Sequence, residues 1–129
     1  MRLKNLTLTF GLQLYKAFSD EARVRLLHLL FINGEMCISD LELTLDFTQT
    51  KTSRHVTYLK NAGLLTVRKA ELYMFYAIKD EVREVVKGLL DLVEKDPVLR
   101  KDEEVYRILN SNRELAVNKI QRRNYIGKK

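Results

Sequence analysis

The chain of 129 residues contains one cysteine, Cys37, and two histidines, His28 and His55. A single thiol permits no intramolecular disulfide, which fits a reducing cytosol. No stretch approaches the roughly 18 apolar residues of a membrane span. The first residues, MRLKNLTLTFGLQLYK, lack the apolar run and small-residue cleavage site of a signal peptide. The expectation is a soluble, cytoplasmic protein with no membrane partner. A Gly-rich phosphate loop, a metal-ligand cluster and a Ser/His/Asp set in a strand–turn–helix context are all missing. An enzyme is therefore not expected, and no cofactor or metal is implied. The most telling absence is local: from Phe47 to Ala70 there is no Asp or Glu at all.

What is present is an ordinary apolar fraction, enough for a real core, and a basic balance. Net charge is +6 with a sequence pI near 9.5, which favours a polyanionic partner. The charge is uneven. Residues 1–93 hold 13 Lys/Arg against 11 Asp/Glu, and residues 94–129 hold 10 against 6.

The acid-free stretch includes TQTKTSRHVTYL, Thr48 to Leu59. As a helix it puts Gln49, Thr50, Ser53, Arg54, Thr57 and Lys60 on one face, spanning about 140° at 100° per residue. Thr52, Val56 and Leu59 fall on the other. The polar face offers amides, hydroxyls and cations, which hydrogen-bond base edges and phosphates. An ordinary solvated helix would mix Glu with Lys. The apolar reverse can anchor the helix in a core, as a DNA recognition helix requires.

The surrounding pattern supplies a setting. Leu3, Leu6, Phe10, Leu14 and Phe18 recur at helical steps, with a second stripe of Leu8, Leu12 and Tyr15. Such a helix needs cover on two sides, from its own domain and from something else, for which a partner chain is one candidate. Ser19-Asp20-Glu21 reads as an N-cap for a nearly all-apolar helix from Glu21 to about Ile32, ended by Asn33-Gly34. Ser39-Asp40-Leu41-Glu42 reads as a capping box opening a short helix, Asp40 to Leu45. Asp46-Phe47 is the turn, Thr48 the next N-cap, and Gly63 suits the left-handed position closing the recognition helix. The period then changes to two: Leu64–Lys69 and Tyr73–Ile78 form a hairpin joined by Ala70-Glu71-Leu72. Val82, Val85, Val86, Leu89, Leu90 and Val93 predict another amphipathic helix, broken at Asp96-Pro97. A charged helix follows from Glu103 to about Ile120. The order is that of a winged helix–turn–helix, mainly α with a small β-hairpin. Residues 1–93 are the expected DNA-binding and dimerisation domain, and 94–129 a charged helical extension with a basic tail.

Three blocks also resemble the ArsR/SmtB family of bacterial winged-helix repressors, over about residues 12–93. Tyr15 to Leu27, YKAFSDEARVRLL, is similar to the family's F-K-A-L-S-D-x-T-R-L-R-I-L. Gly34 to Leu41, GEMCISDL, is similar to G-E-L-C-V-C-D-L. Thr48 to Val56 followed by Leu59-Lys60-Asn61-Ala62-Gly63-Leu64-Leu65 is similar to S-Q-S-T-V-S-R-H-L…L-x-x-A-G-L-V. The resemblance implies a homodimer through the first helix and the helix after the wing, here Leu6–Phe18 and Val82–Val93. It implies a repressor that binds operator DNA and releases it when a metal or other inducer binds.

The family's sensing motifs are altered in this chain. Where the soft-metal site pairs two cysteines, the second is Ser39, and one thiolate cannot make a three-sulfur site. In the D-x-H…H-x-x-E pattern after the wing, Val82 stands in the first His position behind Asp80. Cys37 is left as a possible redox or electrophile sensor, or as a small buried apolar residue. His28 reads as a core or interface residue; His55 touches a phosphate or fills a packing gap. In the wing, Arg68, Lys69 and Tyr73 reach the DNA backbone or are ordinary strand-end residues, and Glu71 at the tip opposes phosphate. Lys119, Arg122, Arg123, Lys128 and Lys129 form a basic end.

The resulting expectation is a homodimeric DNA-binding regulator of unknown inducer. Gln49, Thr50, Ser53 and Arg54 face the bases, and Thr48, Lys51, Thr57, Lys60, Arg68 and Lys69 lie along the backbone. The alternatives are a winged-helix protein-interaction module and a thiol-redox switch through Cys37.

Overall fold

The computed structural model describes residues 6–120. Leu3 of the first apolar stripe and Arg122, Arg123, Lys128 and Lys129 of the basic end lie outside the described residues. The elements run α1 (Leu8–Ala17), α2 (Glu21–Asn33), β1 (Met36–Cys37), α3 (Ile38–Leu45), α4 (Gln49–Asn61), β2 (Leu65–Ala70), β3 (Tyr73–Ile78), α5 (Asp80–Asp91) and α6 (Pro97–Ser111). Residues 116–120 are again helical.

The core forms around α2, whose Leu26, Leu27, Leu29 and Leu30 are fully buried. Val56 and Leu59 of α4, Leu41 of α3, and Val82, Val86 and Leu90 of α5 close on it. The α5 trio repeats every fourth residue, so one stripe of that helix is buried and the rest is solvated. Apolar burial at about 25 cal/mol per Å² drives this assembly.

Several local expectations change in the structure. The cap of α2 is Asp20, whose Oδ1 accepts from Arg23 N at 3.2 Å, not Ser19. Asp can reach the N3 amide as Ser can, and with Asp20 as the cap the helix starts at Glu21, as the pattern predicts. The Ser39 capping box does not form. The N-cap of α3 is Cys37, without a side-chain cap bond, because β1 delivers the chain into the helix earlier than the capping pattern implies. That strand is the main addition. Met36 and Cys37 pair with Tyr76 and Phe75 of β3, giving a three-stranded antiparallel sheet of order β1-β3-β2. Two residues are too few to show an alternation.

The hairpin turn is two residues, Glu71-Leu72, since Ala70 pairs with Tyr73; β2 accordingly runs one residue later than the periodicity predicts. Glu71 takes a left-handed φ of 57° to make the reversal. Pro97 starts α6 as well as ending the previous pattern. Its missing N–H costs nothing at the first helical position, and Asp96 Oδ1 caps Val98 N at 2.8 Å. α6 therefore begins six residues earlier than its charge pattern suggests, and it stops at Ser111, before a turn where Arg113 has φ 58°. Gly63 closes α4 with φ 88°, a left-handed conformation that favours glycine.

α1 is capped by Thr7, whose Oγ1 accepts from Phe10 N at 3.0 Å. Leu14 and Ala17 enter the core, and Phe10 and Phe18 pack against it. The second stripe stays outside: Leu8, Leu12 and Tyr15 are 78%, 48% and 69% exposed.

Candidate nucleic-acid interface

The Asp46-Phe47 turn between α3 and α4 uses a left-handed Asp46, φ 58° and ψ 43°. Thr48 then caps α4, its Oγ1 accepting from Lys51 N at 3.1 Å. Beneath the helix Thr52, His55, Val56 and Leu59 are buried. The buried Thr52 hydroxyl is satisfied by donating to Thr48 O at 2.8 Å. This leaves Gln49, Thr50, Lys51, Ser53, Arg54, Thr57 and Lys60 all exposed on one helix, at the periodicity the sequence implies. Lys51 Nζ lies 4.1 Å over the Phe47 ring, and Arg23 stacks 4.1 Å over Tyr58, which orders cations around the same helix.

The wing residues are placed differently. Lys69 is exposed on β2. Arg68 is also exposed, but its Nε and Nη2 each donate to a Glu35 carboxylate oxygen at 2.8 Å, and the guanidinium lies 5.0 Å over Phe75. The α4 residues thus share one face, whereas Arg68 already has an anionic partner. Glu35 is invisible as its partner in sequence, since the two are 33 residues apart.

His55 is buried under α4 and does not face outward. Burial lowers its pKa below the usual histidine value; Asp20 opposes this, and Arg54, Arg23 and Lys51 add to it. A base whose folded pKa is depressed favours folding above its unfolded pKa of about 6.5, and that contribution is lost as pH falls through the folded value. Stability should therefore drop as pH falls below about 6.5, and His55→Gln should flatten that part of the profile. Urea melts across this range check it; an unchanged slope in the variant would rule out His55 as the source.

His28 is buried on α2 with Nε2 2.6 Å from Glu103 Oε2 of α6, a structural role. Cys37 is fully buried, with Sγ 3.3 Å from Ser39 Oγ. Burial pushes its thiol up, partly offset by the Ser39 hydroxyl. A buried protonated thiol beside one hydroxyl does not fit a soft-metal thiolate site. Val82 points into the core, so the second family pattern is not built either. Among the described residues, no group of three or more His, Cys, Asp or Glu could hold a metal ion.

The residue pattern missed two buried acids. Asp102 of α6 accepts from Arg25 Nε at 2.8 Å and Nη2 at 2.9 Å. Asp40, expected as a first-turn acid of α3, is buried and bonded to the chain's last described segment. Asp40 carries the one sequence signal, an acid among apolar residues, and it names no partner; Asp102, inside the charged run Arg100 to Glu104, carries none.

Short helix, turn, exposed acid-free second helix and β-hairpin define a winged helix–turn–helix regulator. The model for bacterial regulatory proteins of the arsR family matches residues 20–67. An HTH-type transcriptional regulator of Methanocaldococcus jannaschii is 38% identical over 76 residues, covering 58% of this chain and 85% of that protein. The chain belongs to the arsR family. An arsenic resistance transcriptional regulator of Pseudomonas putida is 33% identical over 76 residues. The match spans only 59% of that relative's length and 59% of this chain. HlyU from Vibrio cholerae superposes with a TM-score of 0.59 at 30% identity, over 64% of this chain and 90% of its own. Among the described residues no helix is long and apolar enough to cross a membrane.

Proposed function

We propose that this protein is a cytoplasmic transcriptional repressor, not an enzyme, that binds double-stranded operator DNA as a homodimer. The observation that carries the reading is the exposed, carboxylate-free face of α4 above a fully buried Val56 and Leu59. Gln49, Thr50, Ser53 and Arg54 face base edges in the major groove. Thr48, Lys51, Thr57 and Lys60 hold phosphates at either side. Lys69 joins them from the wing; Arg68 does so only by exchanging Glu35 for phosphate. Residues 1–93 are the DNA-binding and dimerisation unit, and residues 94–129 an extension.

The exposed stripe of Leu8, Leu12 and Tyr15 supports the dimer, because apolar residues in line on one helix lower the free energy when a second copy covers them. No inducer is assigned, and the buried Cys37 thiol gives little support to a redox trigger.

A salt titration on fragments of the protein's own promoter tests this. Lys51, Lys60 and Lys69 from two subunits approach the lower end of about six to ten neutralised phosphates, a range that loses roughly three to five decades of affinity between about 50 and 200 mM salt. A steep log–log decline is expected. No binding to any promoter fragment at low salt would point instead to an acidic protein as the partner of this face.

A further inference from the structure

Asp40 is 3% exposed on α3, and both its carboxylate oxygens are used by backbone far along the chain. Oδ1 accepts from Ala116 N at 2.6 Å and Oδ2 from Val117 N at 3.1 Å. These are the opening amides of the helical residues 116–120, so Asp40 caps that segment from another element. Leu115, just before it, is fully buried. Ile120 is buried in one cluster with Cys37 and Phe75, and Ala116 and Val117 pack on the same cluster. Residues 115–120 therefore lie across Cys37, the start of α3 and the middle strand of the sheet.

The surface they cover is the place where the resemblance puts a pair of metal-binding cysteines. Here the first of the two, Cys37, is buried under the chain's own residues, and the second is an exposed Ser39. The segment is joined to α6 by the exposed turn 112–114, where Arg113 is left-handed. α6 itself is held to α2 by the Arg25–Asp102 and His28–Glu103 pairs. Residues 115–120 are fastened at their two ends, by Leu115 and the Asp40 cap at one and by Ile120 at the other, and an exposed turn sets them apart from α6, so they can open locally as one unit. α3 packs directly on α4, so whatever holds α3 also holds the recognition helix.

We propose that residues 115–120 are a strap that opens as a unit apart from global unfolding, and that Asp40, as a positioning residue, closes it to keep α3 and α4 in their DNA-binding arrangement. The DNA half of this inference rests on the proposed function; the strap does not.

Cys37 is the chain's one cysteine, so alkylation of the full-length protein by iodoacetamide reads the strap directly. Labelling is followed from zero urea to below the unfolding transition, for the parent, Asp40→Asn and Ile120→Ala. The parent is expected to label through an opening nearly independent of urea. Loss of the charge-assisted cap or of the apolar anchor is expected to speed this by about tenfold, more than any loss of global stability accounts for. The same variants are expected to bind a promoter fragment about fivefold or more weakly. Labelling that rises with urea along the global unfolding slope, with variants faster only in proportion to their lost stability, would overturn the strap. Faster labelling with unchanged DNA affinity would overturn its coupling to α4. A parent that binds no promoter DNA would instead sink the proposed function and the coupling drawn from it, and labelling alone would then decide the strap.

Discussion

Replacing Arg54 by alanine is expected to weaken operator binding by roughly 1–3 kcal/mol per half-site and to relax the base preference at the position it reads. Arg54 is exposed midway along α4, at one edge of its polar face, with no acid on that helix to hold it. A guanidinium so placed can bond the O6 and N7 of guanine in the major groove. In a homodimer the loss is counted twice, so the total is roughly 2–6 kcal/mol when the half-sites act independently. Thermal melting should barely move, because the side chain leaves a solvated surface. Equal, tight binding of the variant to every operator sequence would show that Arg54 reads no base. Lys51→Ala makes the contrast: without that cation beside the phosphate, affinity should fall for all sequences alike and the salt slope should drop by about one per site.

The largest effect on stability is expected from Arg25→Ala, at about 3–5 kcal/mol. Among the described residues, Arg25 is the cation paired with Asp102, whose side chain is 4% exposed. Removing the cation strands a carboxylate that water cannot reach. Arg25 also stacks 5.2 Å from the Phe47 ring, the residue before the cap of α4, so its alkyl stem and its charge both contribute. Stabilities of small domains are about 5–15 kcal/mol, so a loss of this size takes a large share. The pair itself need not be worth that much. The double variant Arg25→Leu with Asp102→Leu should recover most of the loss, because neither charge then needs solvation. Urea denaturation of the two singles and the double checks this. A single variant as stable as the parent would mean that Asp102 reaches solvent or another donor.

The elements that could be read directly from residue order are those whose cause is local. The Thr48 cap, the exposed face from Gln49 to Lys60, the left-handed Gly63 and the fourth-residue repeat of Val82, Val86 and Leu90 all lie within one or two turns of their neighbours. Burial of Val56 and Leu59 follows from the same repeat. Residue order misleads where two local solutions are nearly equal. Ser19 and Asp20 can both cap α2, Ser39 competes with a strand too short to detect, and Pro97 ends one helix pattern and begins another with equal ease. His55 is split between phosphate binding and packing because it sits at the edge of the polar face; only its burial decides for packing.

The sequence by itself determined the order of the first helices and the hairpin, the winged helix–turn–helix class and the acid-free face, because hydrophobic period, caps and turn residues act over a few positions. The tertiary structure decided what holds that face in place and what each charge is paired with. Asp40 meets Ala116, Arg25 meets Asp102, His28 meets Glu103 and Arg68 meets Glu35 across separations of 33 to 77 residues. No local pattern encodes such pairs. Packing α6 and residues 115–120 onto α2 and α3 removes water from Asp102 and Asp40, and a charge without water must find a partner within the fold, whereas Arg68 and Glu35 meet at the surface.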